Sequence, residues 1–556
     1  MPELQPFTTH TVDNQPPELL QLNLFDSDPV LQRHLAAQGG DWGSEHLSRY
    51  GALAGGELAE QSTLANRNRP ELHTHDRFGH RIDEVRFHPA YHRLMSAAME
   101  HEVHAFAWNR RDREGAQVVR AALAFLHNQA DAGTSCPLTM TAAAVPALMA
   151  EPRIAETWLP RITSRYYDPS LQPAEHKRGC TIGMGMTEKQ GGSDVRANRT
   201  RATRQGDGSY RLIGHKWFFS APMCDAFLVL AQADEGLTCF LLPRWCPNGG
   251  RNAIRIQRLK DKLGDHSNAS SEVEFENAYA ERVGDEGRGV ATILQMVALT
   301  RLDCMLGSAG LMRMALVQAI HHARHRSAFG KRLIEQPLMC SVLADLALES
   351  EASTALFLRI ARAVDASECD PAENALARVG TAIGKFWVCK RTPAMVNEAQ
   401  ECLGGAGYVE ESMLPRLFRQ SPLNSIWEGS GNVQCLDVLR ALVKQPECRD
   451  ALLAEINAAK GEQTALDSLH DNLERALSKP IDETEARHYV EGMALGLQAS
   501  LLLRHSADGI GAAFCEARLG EGRGLVFGST NTRWPSTMID DAFPDTRART
   551  RGSSQS

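Results

Sequence analysis

Hydrophobic and polar positions change rhythm twice along the 556-residue chain. Over residues 1–180, turn-rich stretches such as Asn66 to Pro70 alternate with amphipathic segments, 88–108 and 118–132, whose apolar spacing predicts a mostly helical domain. From Thr181 the pattern shortens to β-rich runs (YRLIGHKWFF, AFLVLAQ, LTCFLLPRW, AIRIQRL, SSEVEFENAYA) broken by Gly, Asp and Asn. These predict a compact, mostly antiparallel β domain over 181–282. Helix returns near Gly289, where Met312, Leu316, Ala319 and Ala323 share one face of a helix that can approach 35 residues. Two more long runs, Leu338 to Asp365 and Pro371 to Leu403, precede a Gly-rich turn at 404–408, a loop reaching NSIWEGSGN and a helix from Val433 to Lys444. Together these predict a C-terminal bundle of four-helix type over 283–444. Residues 445–540 read as an extra helical module and 541–556 as a polar, disordered tail. The expected fold class is therefore α+β: helical domain, central β domain, helical bundle and added helical module.

Composition narrows the setting. No stretch reaches the about 18 uncharged apolar residues of a membrane span, and 492–503 falls short, so no membrane association is expected. The start, MPELQPFTTHTVDNQ, has neither the basic end nor the apolar core of a secretion signal. Thirteen cysteines without a Cys-x-x-Cys pair suit reduced thiols and a cytoplasmic protein. Cys402 and Cys435, lacking an evident partner base, read as small buried side chains. A formal net charge of −8 gives no bulk attraction to nucleic acid, so any such contact needs a local basic patch. No metal site is expected: His101 and His104 lack the spacing of a zinc motif, and His321, His322 and His325 read as packing or solvated residues.

Four segments carry chemistry: GMGMTEKQGGSD (183–194), GHKWFFS (214–220), RSAFGKRLIEQP (326–337) and LGGAGYVEESMLPRLFRQSPLNSIWEGSGN (403–432). In this order they resemble the flavin-binding acyl-CoA dehydrogenases. The wording of HTVDNQPPELLQLNLF, MGMTEKQGGSDV and NSIWEGSGN is most similar to the adaptive-response AidB branch, associated with DNA alkylation damage. The resemblance implies FAD, a homo-oligomer that is a tetramer in kind, and a small acyl-CoA-like substrate. By position it assigns Met184, Gly185, Met186, Thr187, Gly191, Gly192 and Ser193 to the cofactor, with Phe218, Phe219 and Ser220 on the second strand. It adds Arg326 and Phe329, which reach the FAD of a neighbouring subunit, and Trp427, Gly429, Ser430 and Asn432 around the catalytic loop. Glycines at 191 and 192 suit a pyrophosphate because they let backbone N–H groups approach it.

Glu428 occupies the place of the family's catalytic base, which removes the α-proton of an acyl thioester. A carboxylate of ordinary pKa, about 4.3, is too weak for that proton, so burial must raise it. The plainer reading is a glutamate near a helix N-terminus capped by Ser430. Some relatives place the base on the long helix, at the slot held here by Thr300, which cannot serve. Other departures are Ala298, where many relatives carry an aspartate for the pantetheine arm, Glu401 and Pro337 in glutamine slots, and Trp427 for a tyrosine, which narrows the cavity.

Double-stranded DNA enters through the resemblance, which places Arg440, Lys444 and Arg518 on a contact surface, with Arg504 and Arg523 as further members. Charge points the other way: residues 445–556 hold 12 Lys and Arg against 17 Asp and Glu, a net of −5. Beside an AidB-type flavoprotein with weak dehydrogenase activity stand two alternatives: a metabolic dehydrogenase acting on a short or branched acyl-CoA, and a DNA-binding or structural protein stabilised by flavin.

Overall fold

The computed structural model describes residues 9–19 and 21–544, so most of the segment 541–556 expected to be disordered lies outside the described residues. Seven α-helices between Pro29 and Ile162 build the first domain, among them Pro89–Glu100, Ala116–Ala130 and Ala132–Met149. Between them stands a hairpin, Glu71–His75 with Arg81–Arg86, that the helical reading of this region missed. Its strands are short and polar, and its turn is fixed by the Asp76 carboxylate, which accepts the N–H groups of Phe78 and His80.

The β domain is more closed than its sequence suggests. Strand Ala226–Ala233 pairs antiparallel with Gly236–Pro243, which pairs with Ser270–Val283, then Tyr210–Ser220, then Arg201–Arg204, which returns to the first strand at Gln232. A closed ring leaves few free edges. Strand Ile182–Gly185 adds in parallel outside the ring, beside Ala226–Val229. Gly185 is glycine for packing: a Cβ there would stand 2.6 Å from the Phe219 ring. Glu188 and Lys216, both fully buried, pair at 2.8 Å, and Glu188 also accepts the N–H groups of Arg199 and Thr200. Desolvation of both charges offsets most of the Coulomb gain of such a pair. Its consequence is geometric, since it pins the loop that follows the first strand.

The long helix, Gly289–His325, is apolar on nearly every side because the bundle surrounds it. Pro337–Ala366 and Pro371–Cys402 follow, each with proline in its first turn. Asp370 caps the latter by accepting from Ala372 and Glu373 N–H. Four further helices, Pro446–Asn457, Thr464–Ala476, Ala486–His505 and Ile510–Leu519, lie against the bundle. Two of their arginines face inward: Arg504 pairs with Glu455, and Arg518 with Asp345 and Glu349.

Two hydrophobic cores result, and the long helix crosses from one to the other. Ile293, Met296 and Val297 belong to the core of the β domain, whereas Leu302, Met305 and Leu306 belong to that of the helices. Thr300 and Arg301 sit on the seam.

Candidate functional site

The seam is where the sequence-predicted glutamate arrives. The loop before helix Gly431–Lys444 brings Glu428 to the long helix, with its carboxylate Oε2 2.6 Å from the Thr300 hydroxyl. That hydroxyl also lies 3.1 Å from Val297 O, so its single proton serves the ionised carboxylate and can turn to the carbonyl when Glu428 is protonated. Burial pushes the Glu428 carboxyl above the ordinary glutamate range, against the opposing pull of Thr300, Lys385 and Arg301. The position unable to supply a base thus acts as hydrogen-bond donor to the Glu428 carboxylate.

Glu428 stands in left-handed backbone, φ 58°, a conformation that costs about 1–3 kcal/mol for a residue of this kind. Three side chains hold it there. Lys385 Nζ donates to Trp427 O at 2.6 Å and Gly429 O at 2.5 Å. Arg301 Nε donates to Glu428 O at 3.1 Å, and Gln434 Nε2 donates to Glu428 O and Gly429 O. Gly429 is also left-handed, φ 93°, and a Cβ on it would stand 2.6 Å from Gln434 Nε2. Arg301 is in turn fixed by Asp437, which Arg378 also grips. Burial works to raise the Asp437 carboxyl, but the two guanidinium groups overrule it and hold it below the usual range. Lys385, Glu188 and Lys216 escaped the sequence reading because buried lysines and glutamates are rare. The available signal was Lys385 on the buried face that also carries Thr381, Val388 and Thr392.

Trp427 packs against the β-domain core while its indole N–H donates to Asn424 at 2.8 Å; Asn424 donates to Ser308 on the long helix. Cys136 completes this side: the Ser220 hydroxyl and the Glu428 carboxylate both act on it, and burial pushes its thiol up to about 12. It stands beside the Glu428 carboxylate as a neutral group.

The strand residues separate by face. Phe218 is 52% exposed, while Phe219 is wholly buried, its ring 4.2 Å from that of Phe227. Phe219 is therefore corrected: its side chain fills the barrel and does not face a cofactor. Met184 and Gly185 are likewise buried in the strand, and Met186 packs against the core. Thr187 is half-buried, Gly191 and Ser193 are exposed, and Ser220 shares a hydrogen bond of 3.0 Å with Ser270. Gly192 packs on Thr187 so closely that a Cβ would meet its hydroxyl at 2.5 Å. Ser430 takes the N-cap position but makes no capping hydrogen bond. Asn432 accepts from Arg487 of the added helices at 2.9 Å.

Arg326 and Phe329 lie beyond the far end of the long helix, roughly 40 Å along its axis from Thr300, and do not join this site within one chain. Arg326 donates to Asn14 O at 2.6 Å, and Phe329 is 100% exposed. Arg440 and Lys444 are exposed, one turn apart on helix Gly431–Lys444. Arg518 is corrected, and Arg504 with it: their charges are committed to carboxylates inside the fold, so they present no cationic surface.

Comparison with known proteins follows the same divisions. Residues 14–169 match the model of the adaptive response protein AidB N-terminal domain, 183–278 that of the acyl-CoA dehydrogenase middle domain, and 287–443 that of the acyl-CoA dehydrogenase C-terminal domain. AidB of Escherichia coli (strain K12) is 49% identical over 515 residues, 92% of this chain and 94% of that one. Acyl-CoA dehydrogenase family member 11 of Caenorhabditis elegans is 31% identical over 87% of this chain and 84% of its own. Among solved structures, C. elegans ACDH-11 in complex with C11-CoA is similar at a TM-score of 0.85 and 27% identity, covering 99% of this chain and 97% of that one.

Proposed function

The chain belongs to the acyl-CoA dehydrogenase family, in its AidB branch, and on that premise we propose that it is an FAD-dependent oxidoreductase in which Glu428 removes the α-proton of a small acyl thioester. FAD, when bound, supplies the acceptor for the hydride that leaves the substrate's β-carbon. The residues present fit it. Phe218 is a half-exposed aromatic ring, with the Lys260 ammonium 4.6 Å from its centroid, on a strand whose next residue is fully buried. Thr187 and Ser220 offer hydroxyls, Gly191 and Ser193 offer exposed backbone, and Trp427 packs on the β-domain core.

The observation that carries the proposal is the Glu428 carboxylate itself, lifted above its ordinary pKa by burial yet kept aimed by the Thr300 hydroxyl. A base is most useful when its pKa approaches the working pH, and burial moves Glu428 in that direction. Trp427, bulkier than the tyrosine it replaces in the family, favours a short acyl group. Anaerobic addition of butyryl-CoA to the FAD-loaded protein tests this reading: slow bleaching of the flavin is expected, and its persistence in Glu428→Gln would remove Glu428 from the role. Rapid bleaching favours the alternative, a metabolic dehydrogenase of a short or branched acyl-CoA.

A second reading, contact with double-stranded DNA in the alkylation response, is supported by Arg440 and Lys444. Both are exposed and form no ion pair among the described residues. Phosphate contacts by such residues release counterions, so DNA retention should fall with salt. Arg440→Ala is expected to reduce the slope of log affinity against log salt by about one, whereas Arg518→Ala leaves the slope unchanged. An unaltered slope in Arg440→Ala would exclude that helix. Self-association, a tetramer in kind, is supported by the uncovered Phe329 and Leu338, 100% and 82% exposed.

A further inference from the structure

We infer that Lys385 is a positioning residue for Glu428: by holding the carbonyls of Trp427 and Gly429 it fixes the left-handed turn that delivers the Glu428 carboxylate to the Thr300 hydroxyl. The inference rests on the proposed function, since it needs Glu428 to be the proton acceptor.

Lys385 is among the largest fully buried side chains, 1% exposed, and no carboxylate lies within ion-pair distance of it among the described residues. An ammonium buried without a counter-ion is costly, and a scaffold needing only bulk would be served by methionine or leucine. What the ammonium does is donate to two carbonyls, and they belong to the residues on either side of Glu428. The carbonyl between them, that of Glu428, is taken by Arg301 and Gln434. Three successive carbonyls are thus held by three side chains from different positions on three helices. This is the surrounding a strained φ of 58° needs in order to persist.

Lys385 also places a positive charge near the base. The groups acting on Glu428 are Thr300 and Arg301 on the long helix and Lys385 on helix Pro371–Cys402. Cys304 on the long helix and Cys136 on helix Ala132–Met149 feel the Glu428 charge in return, and Asp437 reaches it only through Arg301. Both thiols are held neutral by burial, so Lys385 and Arg301 are the charges that oppose desolvation.

The test uses the full, FAD-loaded chain without substrate. The infrared band of a protonated carboxyl, assigned to Glu428 by its loss in Glu428→Gln, is followed against pH. Thr300→Val, which removes a donor to the carboxylate, is expected to raise the midpoint by about one pH unit. Lys385→Met should raise it as well. The decisive reading is the double variant: with the turn released the carboxylate no longer meets Thr300, so adding Thr300→Val to Lys385→Met should move the midpoint by less than half its usual shift. Shifts that add in full, or an unmoved midpoint in Lys385→Met, overturn the inference. Lys385→Leu, which likewise removes both donor and charge, replaces Lys385→Met if that variant loses cooperative melting. If both variants lose cooperative melting, Lys385 is general scaffold and the inference is overturned. Butyryl-CoA bleaching that survives in Glu428→Gln removes the proposed function instead, and the need for a positioning residue with it.

Discussion

Glu428 and Phe329 both hold left-handed backbone, at φ 58° and 53°, the first beside Thr300 in the N-terminal half of the long helix and the second past its C-terminal end. At the first the strain is enclosed: donors from Lys385, Arg301 and Gln434 fill every carbonyl of the turn, and the side chain meets a hydroxyl. At the second it is bare. Phe329 and Gly330 form the two-residue turn between Ala328 and Lys331, where positive φ at both positions favours asparagine followed by glycine. This chain places a phenylalanine there and leaves it 100% exposed. Strain persists where surroundings over-determine it or where function uses it, so the proposed chemistry would account for the first turn and the proposed self-association for the second.

The largest effect should come from the enclosed turn. Glu428→Gln keeps size and the Thr300 contact but removes the proton acceptor, so the rate of flavin bleaching by butyryl-CoA should fall by about 10²–10⁴-fold with FAD still bound. Equal rates in the two proteins would mean that the enclosed turn is structural. Next comes the bare turn. Phe329→Asn relieves the strain and removes an apolar anchor, so the single chain should gain slightly in stability while self-association weakens by about 1.5–3 kcal/mol. Analytical ultracentrifugation across a dilution series measures it. A variant that loses monomer stability without changing association would show that Phe329 serves its own chain.

Much of this contrast was legible in the sequence, unevenly. The long helix announced itself by apolar residues at helical spacing, a local signal, whereas Glu428 was singled out through the family resemblance that the loop NSIWEGSGN carries. What was hidden depended on distant partners. Nothing near Lys385 says that its ammonium ends on the carbonyls beside Glu428; only its place on a buried face hints that it is not a surface lysine. Arg518 read as a candidate for DNA because a sequence shows charge and not the carboxylates, Asp345 and Glu349, that neutralise it. The hairpin at 71–86 was missed because its alternation is weak and its turn is sealed by one aspartate side chain.

The smallest predicted effect separates the two turns by pH. Burial raises the Glu428 carboxyl above its unfolded value, so the folded state binds a proton that the unfolded chain releases. That stability is fully present below the ordinary glutamate pKa, about 4.3, and is lost as pH rises through the higher folded value. Above it the wild-type chain carries the cost of a buried carboxylate, about 1.4 kcal/mol for each pH unit between the two values, which a neutral glutamine does not. Glu428→Gln should therefore melt with the wild type in acid and above it at pH 8, whereas the melting difference for Phe329→Asn, which removes no titrating group, should be the same at both. A Glu428→Gln difference that does not widen with pH would place the carboxylate in water, and the enclosed turn would lose its distinction from the bare one.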